Sequence, residues 1–399
     1  MTFNDLLSDN GLFCDGDWIE KKDQDVNGLV RLIQLADIGI CEFKDKSNKY
    51  ITEQTAQNLN CTYLKKGDIL IARLPEPLGR ACIFPYDGKF ITAVDVAILR
   101  PANDKVNNQY IMYLINSPQF RKQIKKFESG TTRKRISRKN LDRIDFKIPD
   151  YQDQHRIVTR IEELFSQLDS GVETLKKTKE QLKVYRQSVL KEAFEGNWKI
   201  FKAKDLCFFI TKGTTPKKTE LRTTGDIPFI KVYNLTFDTS LDFSIEPTFV
   251  SKEIHSGFLA RSIVYPDDVL MNIVGPPMGK VSIVPDTFSE WNINQAIARF
   301  RCNDNLYNKY LAYYLGFAPT VEKMKAKSKA TAGQFNLTLE ICRNIEIPLP
   351  TLEEQKEIVK EIESRLSVCD SIEKTIDTAL QEAEALRQSI LKQAFEGGL

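Results

Sequence analysis

Two stretches of the chain carry apolar residues at intervals of seven. In the first, Ile161, Leu168, Leu175, Leu182 and Val189 recur, and Ile157, Leu164 and Tyr185 fill an interleaved set. In the second, Ile362, Cys369, Ile376, Ala383 and Ile390 recur, with Ile358, Ile372, Ala379 and Leu386 alongside. A sustained period of seven with polar residues between is the seam of a left-handed coiled coil. Pro149 and Pro350 precede the two stretches, Gly196 and Gly397 follow them, and no proline interrupts either. These residues supply the usual start and stop signals of a helix. Each predicted helix runs about 44 residues, hence roughly 65 Å. A helix of that length needs a partner to cover its stripe. The bulkier first stripe (Leu168, Leu175, Leu182) suits the smaller second one (Cys369, Ala383), and both belong to one tethered chain. Antiparallel pairing within the chain is therefore expected. Pairing with the same helix of a second chain is the alternative.

The two stretches are copies. Residues 149–196 align with 350–397 at a constant offset of 201, without a gap and with 19 of 48 positions identical. The best block sets Arg186-Gln187-Ser188-Val189-Leu190-Lys191 against Arg387-Gln388-Ser389-Ile390-Leu391-Lys392. The segments before the helices repeat more faintly. Gly67-Asp68-Ile69-Leu70 is echoed by Asp267-Asp268-Val269-Leu270, Leu78-Gly79-Arg80 by Met278-Gly279-Lys280, and Tyr110-x-x-Tyr113 by Tyr310-x-x-Tyr313. The chain thus reads as one unit used twice. The predicted class is α+β, with two globular α/β domains (1–148 and 199–348) and two helical segments (149–198 and 349–399) related by a pseudo-two-fold. Helices that stay alike while globular parts diverge suggest a fixed frame carrying two different readers.

Composition narrows the function. The 399 residues are 42% hydrophobic and 28% charged, the balance of a folded globular protein. No apolar run is long enough to span a bilayer, and the N-terminus lacks a secretory pattern. Eight scattered cysteines without a C-x-x-C pair argue against zinc or a disulfide framework, and for a reducing cytoplasm. Helix 153–195 has eight basic and eight acidic residues, and helix 353–396 has six and eleven. The globular parts 1–151 and 199–352 are each basic, 24 against 20 and 19 against 15. Basic readers on a neutral-to-acidic frame suit a polyanion.

Enzyme motifs are missing. Gly275-Pro276-Pro277-Met278-Gly279-Lys280-Val281 has one residue too few between its glycines for a phosphate loop, and Val281 stands where a Ser or Thr must hold magnesium. It is expected to be a turn between two strands. His155 is placed at a helix start and His255 in a polar surface loop, neither as a ligand. Residues suited to nucleic acid are easier to find. Lys212-Gly213-Thr214-Thr215-Pro216-Lys217-Lys218 combines little bulk with many donors. Asn292, Asn294 and Gln295 carry amides able to bond adenine bidentately. Thr131, Thr132, Arg133, Lys134 and Arg135 form a basic stretch, with Arg138 and Lys139 close behind. Lys323, Lys325, Lys327, Lys329, Thr331 and Gln334 stand at the matching place in the second half. Each cluster alone is equally a solvated loop, but recurrence in both halves favours binding.

Three motifs complete the picture: Ile347-Pro348-Leu349-Pro350-Thr351-Leu352-Glu353-Glu354-Gln355, Arg387-Gln388-Ser389-Ile390-Leu391-x-x-Ala394-Phe395-x-Gly397, and Gly213-Thr214-Thr215-Pro216 followed by Gly225-Asp226-Ile227-Pro228-Phe229-Ile230. With them the whole chain resembles a specificity subunit of a type I restriction-modification system. The resemblance implies a non-catalytic subunit whose two target-recognition domains read a bipartite, asymmetric site on double-stranded DNA. It implies two methyltransferase subunits as partners, and two restriction/motor subunits where cleavage is added. S-adenosylmethionine, ATP and magnesium would then sit on those partners, with no cofactor or metal on this chain and no membrane contact. The first half departs from the pattern. Asp15-Gly16-Asp17-Trp18-Ile19-Glu20-Lys21-Lys22 stands where a G-T-T-P loop would be expected. A self-contained methyltransferase or nuclease is opposed by the missing motifs, and a bare coiled-coil scaffold by two basic, divergent domains.

Overall fold

A computed structural model describes residues 1–75, 77–331 and 334–398. The chain divides into two units, Met1–Leu175 with Asp377–Leu399, and Lys176–Ile376. Each unit is one globular domain plus a segment of each long helix. The central helix spans Tyr151–Ala193 and the C-terminal helix Leu352–Glu396. Asp150 caps the first by accepting from the Asp153 N–H at 2.9 Å. Thr351 and Glu354 form a reciprocal capping box at the start of the second. Gly397 ends the latter at φ +83°, a conformation that costs glycine nothing.

In the first unit the strands are β1 (Leu12–Asp15), β2 (Val30–Ile33), β3 (Lys49–Ile51), β4 (Ile69–Ala72), β5 (Ala81–Ile83), β6 (Phe90–Thr92) and β7 (Val96–Arg100). An antiparallel sheet has the order β1-β7-β4-β5, and a smaller mixed sheet the order β3-β2-β6. β4 is buried on both faces, which is why it reads as unbroken apolar sequence. Ile69 and Ile71 join a core with the helices Asn108–Asn116 and Pro118–Lys126, while Leu70 and Ala72 join Ile33, Phe84, Val96 and Ile98 between the sheets.

The second unit repeats this plan. Its strands are β8 (Ile200–Lys202), β9 (Cys207–Lys212), β10 (Ile227–Ile230), β11 (Phe249–Val250), β12 (Ile263–Val264), β13 (Val269–Asn272), β14 (Val274–Gly275), β15 (Val281–Ile283), β16 (Trp291–Ile293), β17 (Ile297–Cys302), β18 (Lys329–Thr331), β19 (Gln334–Asn336) and β20 (Glu346–Pro348). Sheets β15-β13-β17-β9 and β11-β10-β16-β12 correspond to the two sheets of the first unit. The segment 275–281 is a turn between β13 and β15, as its sequence indicates, and Gly275 adds a short pairing of β14 with β19.

The long helices pair antiparallel within the chain. In the first unit Ile161, Phe165 and Leu168 share a core with Ile390, Leu391 and Ala394. In the second, Val189, Leu190 and Phe194 share one with Val359 and Ile362. The polar contacts repeat with the helices exchanged. Arg186 donates to Asp370 at 2.7 Å and to Glu373 at 3.1 Å in the second unit, and Arg387 pairs with Asp169 in the first. The whole heptad set is turned inward: Ile161, Leu182, Val189, Ile362, Cys369, Ile376, Ala383 and Ile390 are buried, and Leu168 and Leu175 half-buried.

Each globular domain is fastened to its helix by one buried glutamine. Gln154 accepts from the Asn107 N–H at 2.8 Å and donates to the carbonyls of Lys105 and Pro149. Gln355 does the same with the Tyr307 N–H at 2.7 Å and the carbonyls of Asn305 and Pro350. The buried pairs Arg100–Asp68 and Arg301–Asp268 are likewise duplicated as two-pronged bonds of 2.6–2.7 Å. No described helix is long and apolar enough to cross a membrane.

Candidate nucleic-acid interface

The site begins where β9 runs out. Gly213 donates its N–H to the Ile297 carbonyl at 3.1 Å, and Thr214 donates to the Ile293 carbonyl at 3.2 Å. A Cβ on Gly213 would lie 2.1 Å from the Ile293 oxygen and 2.3 Å from the Asn294 oxygen, so only glycine fits this crossing. The crossing lays the 213–218 loop over the turn after β16. Thr215 Oγ1 then accepts from the Gln295 N–H at 3.3 Å. Two clusters distant in sequence, Lys212–Lys218 and Asn294–Gln295, are thereby brought together. Lys212, Lys217, Lys218 and Gln295 are exposed, and Thr214 and Asn294 half-buried. The Asn294 side chain caps its own turn by accepting from the Ala296 N–H.

Asn292 is corrected. It has no exposed surface, its carbonyl oxygen lies 2.7 Å from His255 Nδ1, and its amide donates to the Leu259 carbonyl. Both amide atoms serve the fold, so no base edge can reach them. His255 is corrected with it. It sits buried on the helix Lys252–Ser256, between Asn292 and Glu290, rather than in a surface loop.

The first unit builds the same crossing from other residues. Gly16 donates to the Val96 carbonyl and Asp17 to the Thr92 carbonyl, both at 2.8 Å. A Cβ on Gly16 would lie 2.3 Å from the Ala93 oxygen. Gly16-Asp17-Trp18 therefore occupies the place of Gly213-Thr214-Thr215. Trp18 is 71% exposed there, with Val26 and Leu29 also exposed on the same loop. The Asp17 carboxylate accepts from the Thr62 N–H at 3.0 Å. Burial pushes its pKa up to about 6, against the pull of that bond and of the Cys61 thiol. Burial, together with Asp17, pushes the Cys61 thiol up to about 11.

The Asp17 shift has a sign that can be checked. A carboxyl whose folded pKa exceeds its unfolded value, about 3.9, holds its proton better when folded. The folded state thus loses stability as pH rises from about 4 to about 6. Asp17→Asn removes this titration. The Tm of the native chain minus that of the variant is expected to fall across that window and to be level on either side. A difference that stays constant from pH 4 to 7 would contradict the burial of this carboxylate.

The basic stretches also correspond. In the first unit Ser129 and Arg135 bond each other through both backbone groups at 2.9 Å, closing a loop on which Thr131, Thr132, Arg133, Lys134 and Arg135 are all exposed. Lys134 reaches Glu128 at 2.6 Å. In the second unit β18 and β19 form the matching hairpin; the side chains of Thr331 and Gln334 lie outside the described residues. Ile136 donates to the Arg73 carbonyl and Leu337 to the Ile273 carbonyl, so both hairpins hang from the same strand end.

Comparison with known proteins agrees with this plan. The family model of the type I restriction modification DNA specificity domain matches residues 16–184 and 195–382. The type I restriction enzyme EcoBI specificity subunit of Escherichia coli is 28% identical over 328 residues, covering 74% of this chain and 66% of that protein. The putative MjaX specificity subunit of Methanocaldococcus jannaschii is 23% identical over 356 residues, covering 83% and 78%. A chain solved in a study of complex assembly and conformational transition of the type I R-M system superposes with a TM-score of 0.73, at 19% identity and over 98% and 99% of the two chains. The HsdS subunit from Thermoanaerobacter tengcongensis does so at 0.58, with 18% identity and 98% coverage of each. These structures share the fold.

Proposed function

Because the chain belongs to the family of type I restriction-modification DNA specificity domains, we propose that it is a non-catalytic specificity subunit that reads a bipartite, asymmetric DNA site, one half per globular domain. The observation that carries this reading is the duplicated glycine crossing. One scaffold presents Gly213-Thr214-Thr215 in the second unit and Gly16-Asp17-Trp18 in the first. Identical backbone geometry with different side chains is what two readers of different sequences require, since phosphate contacts position a protein and base contacts specify.

The helix pair supports the partner assignment. Its ion pairs recur with the helices exchanged, so it offers two equivalent surfaces to two copies of one partner. That partner is a methyltransferase subunit modifying adenine, joined by restriction/motor subunits where DNA is cleaved. S-adenosylmethionine, ATP and magnesium belong to those subunits, and the purified chain alone neither methylates nor cuts. It works in the cytoplasm, where its DNA is.

Salt dependence tests the second reader. Lys217 and Lys218 are exposed on the loop after Gly213. Changing both to alanine is expected to weaken binding to all sequences and to reduce the slope of log K against log salt by about two. Changing Gln295 to alanine is expected to relax base preference instead, by roughly 1–3 kcal/mol at one position. An unchanged salt slope in the lysine variant would place the loop away from DNA.

A further inference from the structure

The outer edge of the second unit carries a basic pocket that the recognition loops do not use. It measures about 490 Å³ and is lined by Lys204, Arg261, Arg299, Arg343 and the β9 residues Cys207 to Thr211. Four cations and no carboxylate line it. Lys204 and Arg261 are exposed and have no ion-pair partner among the described residues. Among the described residues Arg343 donates only to the Ile210 carbonyl, at 3.1 Å. Phe208 and Phe209 stand exposed at the rim, 61% and 53%.

Arg299 is the one buried cation of the four. It is 8% exposed, its Nη1 donates to the Ile263 carbonyl, its guanidinium lies over the Phe209 ring at 5.6 Å, and its Nε has no hydrogen-bond partner among the described residues. The carboxylate nearest in charge, Asp268, is already held by both prongs of Arg301. A buried guanidinium with no carboxylate partner is costly, and burial lowers its pKa. The fold does not need it. Arg299 pairs with Leu270 across β17 and β13, and the first unit puts Ile98 opposite Leu70 at the same register, inside its apolar cluster. An isoleucine satisfies this position there, so the charge serves something other than packing.

We infer that this pocket is an anion site for a phosphate group, and that the group is a backbone phosphate of the DNA held by the neighbouring 213–218 loop. The chemistry follows from the donors. Planar guanidinium forks match phosphate oxygens, and convergent cations without a carboxylate favour a group of high charge. The rim phenylalanines give a sugar or base an apolar face. Thr211, in the pocket wall on β9, is two residues before Gly213, which follows the end of that strand. A duplex seated on the loop would run its backbone past this edge. The DNA source of the phosphate rests on the function proposed above; the pocket itself does not.

Two titrations on the full chain test the two parts separately. Inorganic pyrophosphate is the first probe, read by thermal shift. It is expected to raise the Tm of the native chain, because a ligand of the folded state stabilises it. The shift is expected to be lost in Arg299→Met, and at least halved in the double variant Lys204→Ala/Arg261→Ala, whose exposed side chains make no hydrogen bond or ion pair among the described residues. No shift in the native chain, or an equal shift in both variants, overturns the site. Duplex DNA is the second probe. The double variant is expected to lower the salt slope by about two while leaving base preference unchanged. A pyrophosphate shift with an unaltered salt slope overturns the DNA source and assigns the pocket to a free phosphate compound. If the native chain binds no DNA, the function proposed above fails, and the pyrophosphate result still decides the pocket.

Discussion

Replacing residues 199–348 with the second globular domain of another family member is expected to change one half of the methylated DNA motif and leave the other half intact. The expectation rests on how the second domain meets the helices. Gln355 holds backbone atoms of that domain, the Tyr307 N–H and the Asn305 carbonyl, so the anchor does not depend on the domain's own side chains. Tyr310 and Tyr314 donate to the backbone carbonyls of Pro348 and Glu346, at 2.8 Å each, and pack on Phe194 from the helix. The loops proposed to read DNA follow the strands β9 and β16, and every part of them travels with the replaced segment. The first half keeps Gly16, Asp17, Trp18 and its basic loop. Methylation mapping reads the outcome. A change in both halves at once would show that the two domains do not read independently.

Gln355→Leu is expected to be among the most destabilising single changes in the chain. Leucine nearly matches the volume but leaves one N–H and two carbonyls without this partner, around a side chain that has no exposed surface. Each such group costs about 1–3 kcal/mol when buried, and the carbonyl of the exposed Asn305 can turn to water, so a total on the order of 3–5 kcal/mol is expected. Gln154→Leu should cost a similar amount in the first unit, where the same three bonds are made. Lys356→Ala, an exposed neighbour on the same helix, should stay within about 0.5 kcal/mol. Urea unfolding measures all three. A cost below about 1 kcal/mol for both glutamine variants would contradict the anchor.

The helices were legible because a seven-residue period and a constant offset are properties of the sequence itself. The sheets were harder. Most strands here are three to five residues long, and β4 and β13 are buried on both faces, so the alternation that marks a half-exposed strand is absent. Asn292 misled for a related reason. Trp291 and Ile293 point to one apolar cluster, which sends Asn292 to the opposite face of β16. That face is covered by the helix Lys252–Ser256, and nothing in the local sequence announces the cover. The glycine crossing of the first unit is hidden by its side chains, not by its geometry. Gly16 precedes β2 by fourteen residues, as Gly213 precedes β10. That equal interval was the available signal, and comparing Thr-Thr with Asp-Trp concealed it. Arg299 carried no signal either, since a single arginine in a strand gains meaning only once its neighbours are known.

On the proposed function, this chain supplies sequence specificity to a methyltransferase that lacks it. The direct test is genome-wide mapping of adenine methylation in cells carrying the partner methyltransferase subunit, with and without this chain. A single bipartite, asymmetric motif is expected, methylated when the chain is present and unmethylated when it is absent. The same motif methylated without the chain would contradict it.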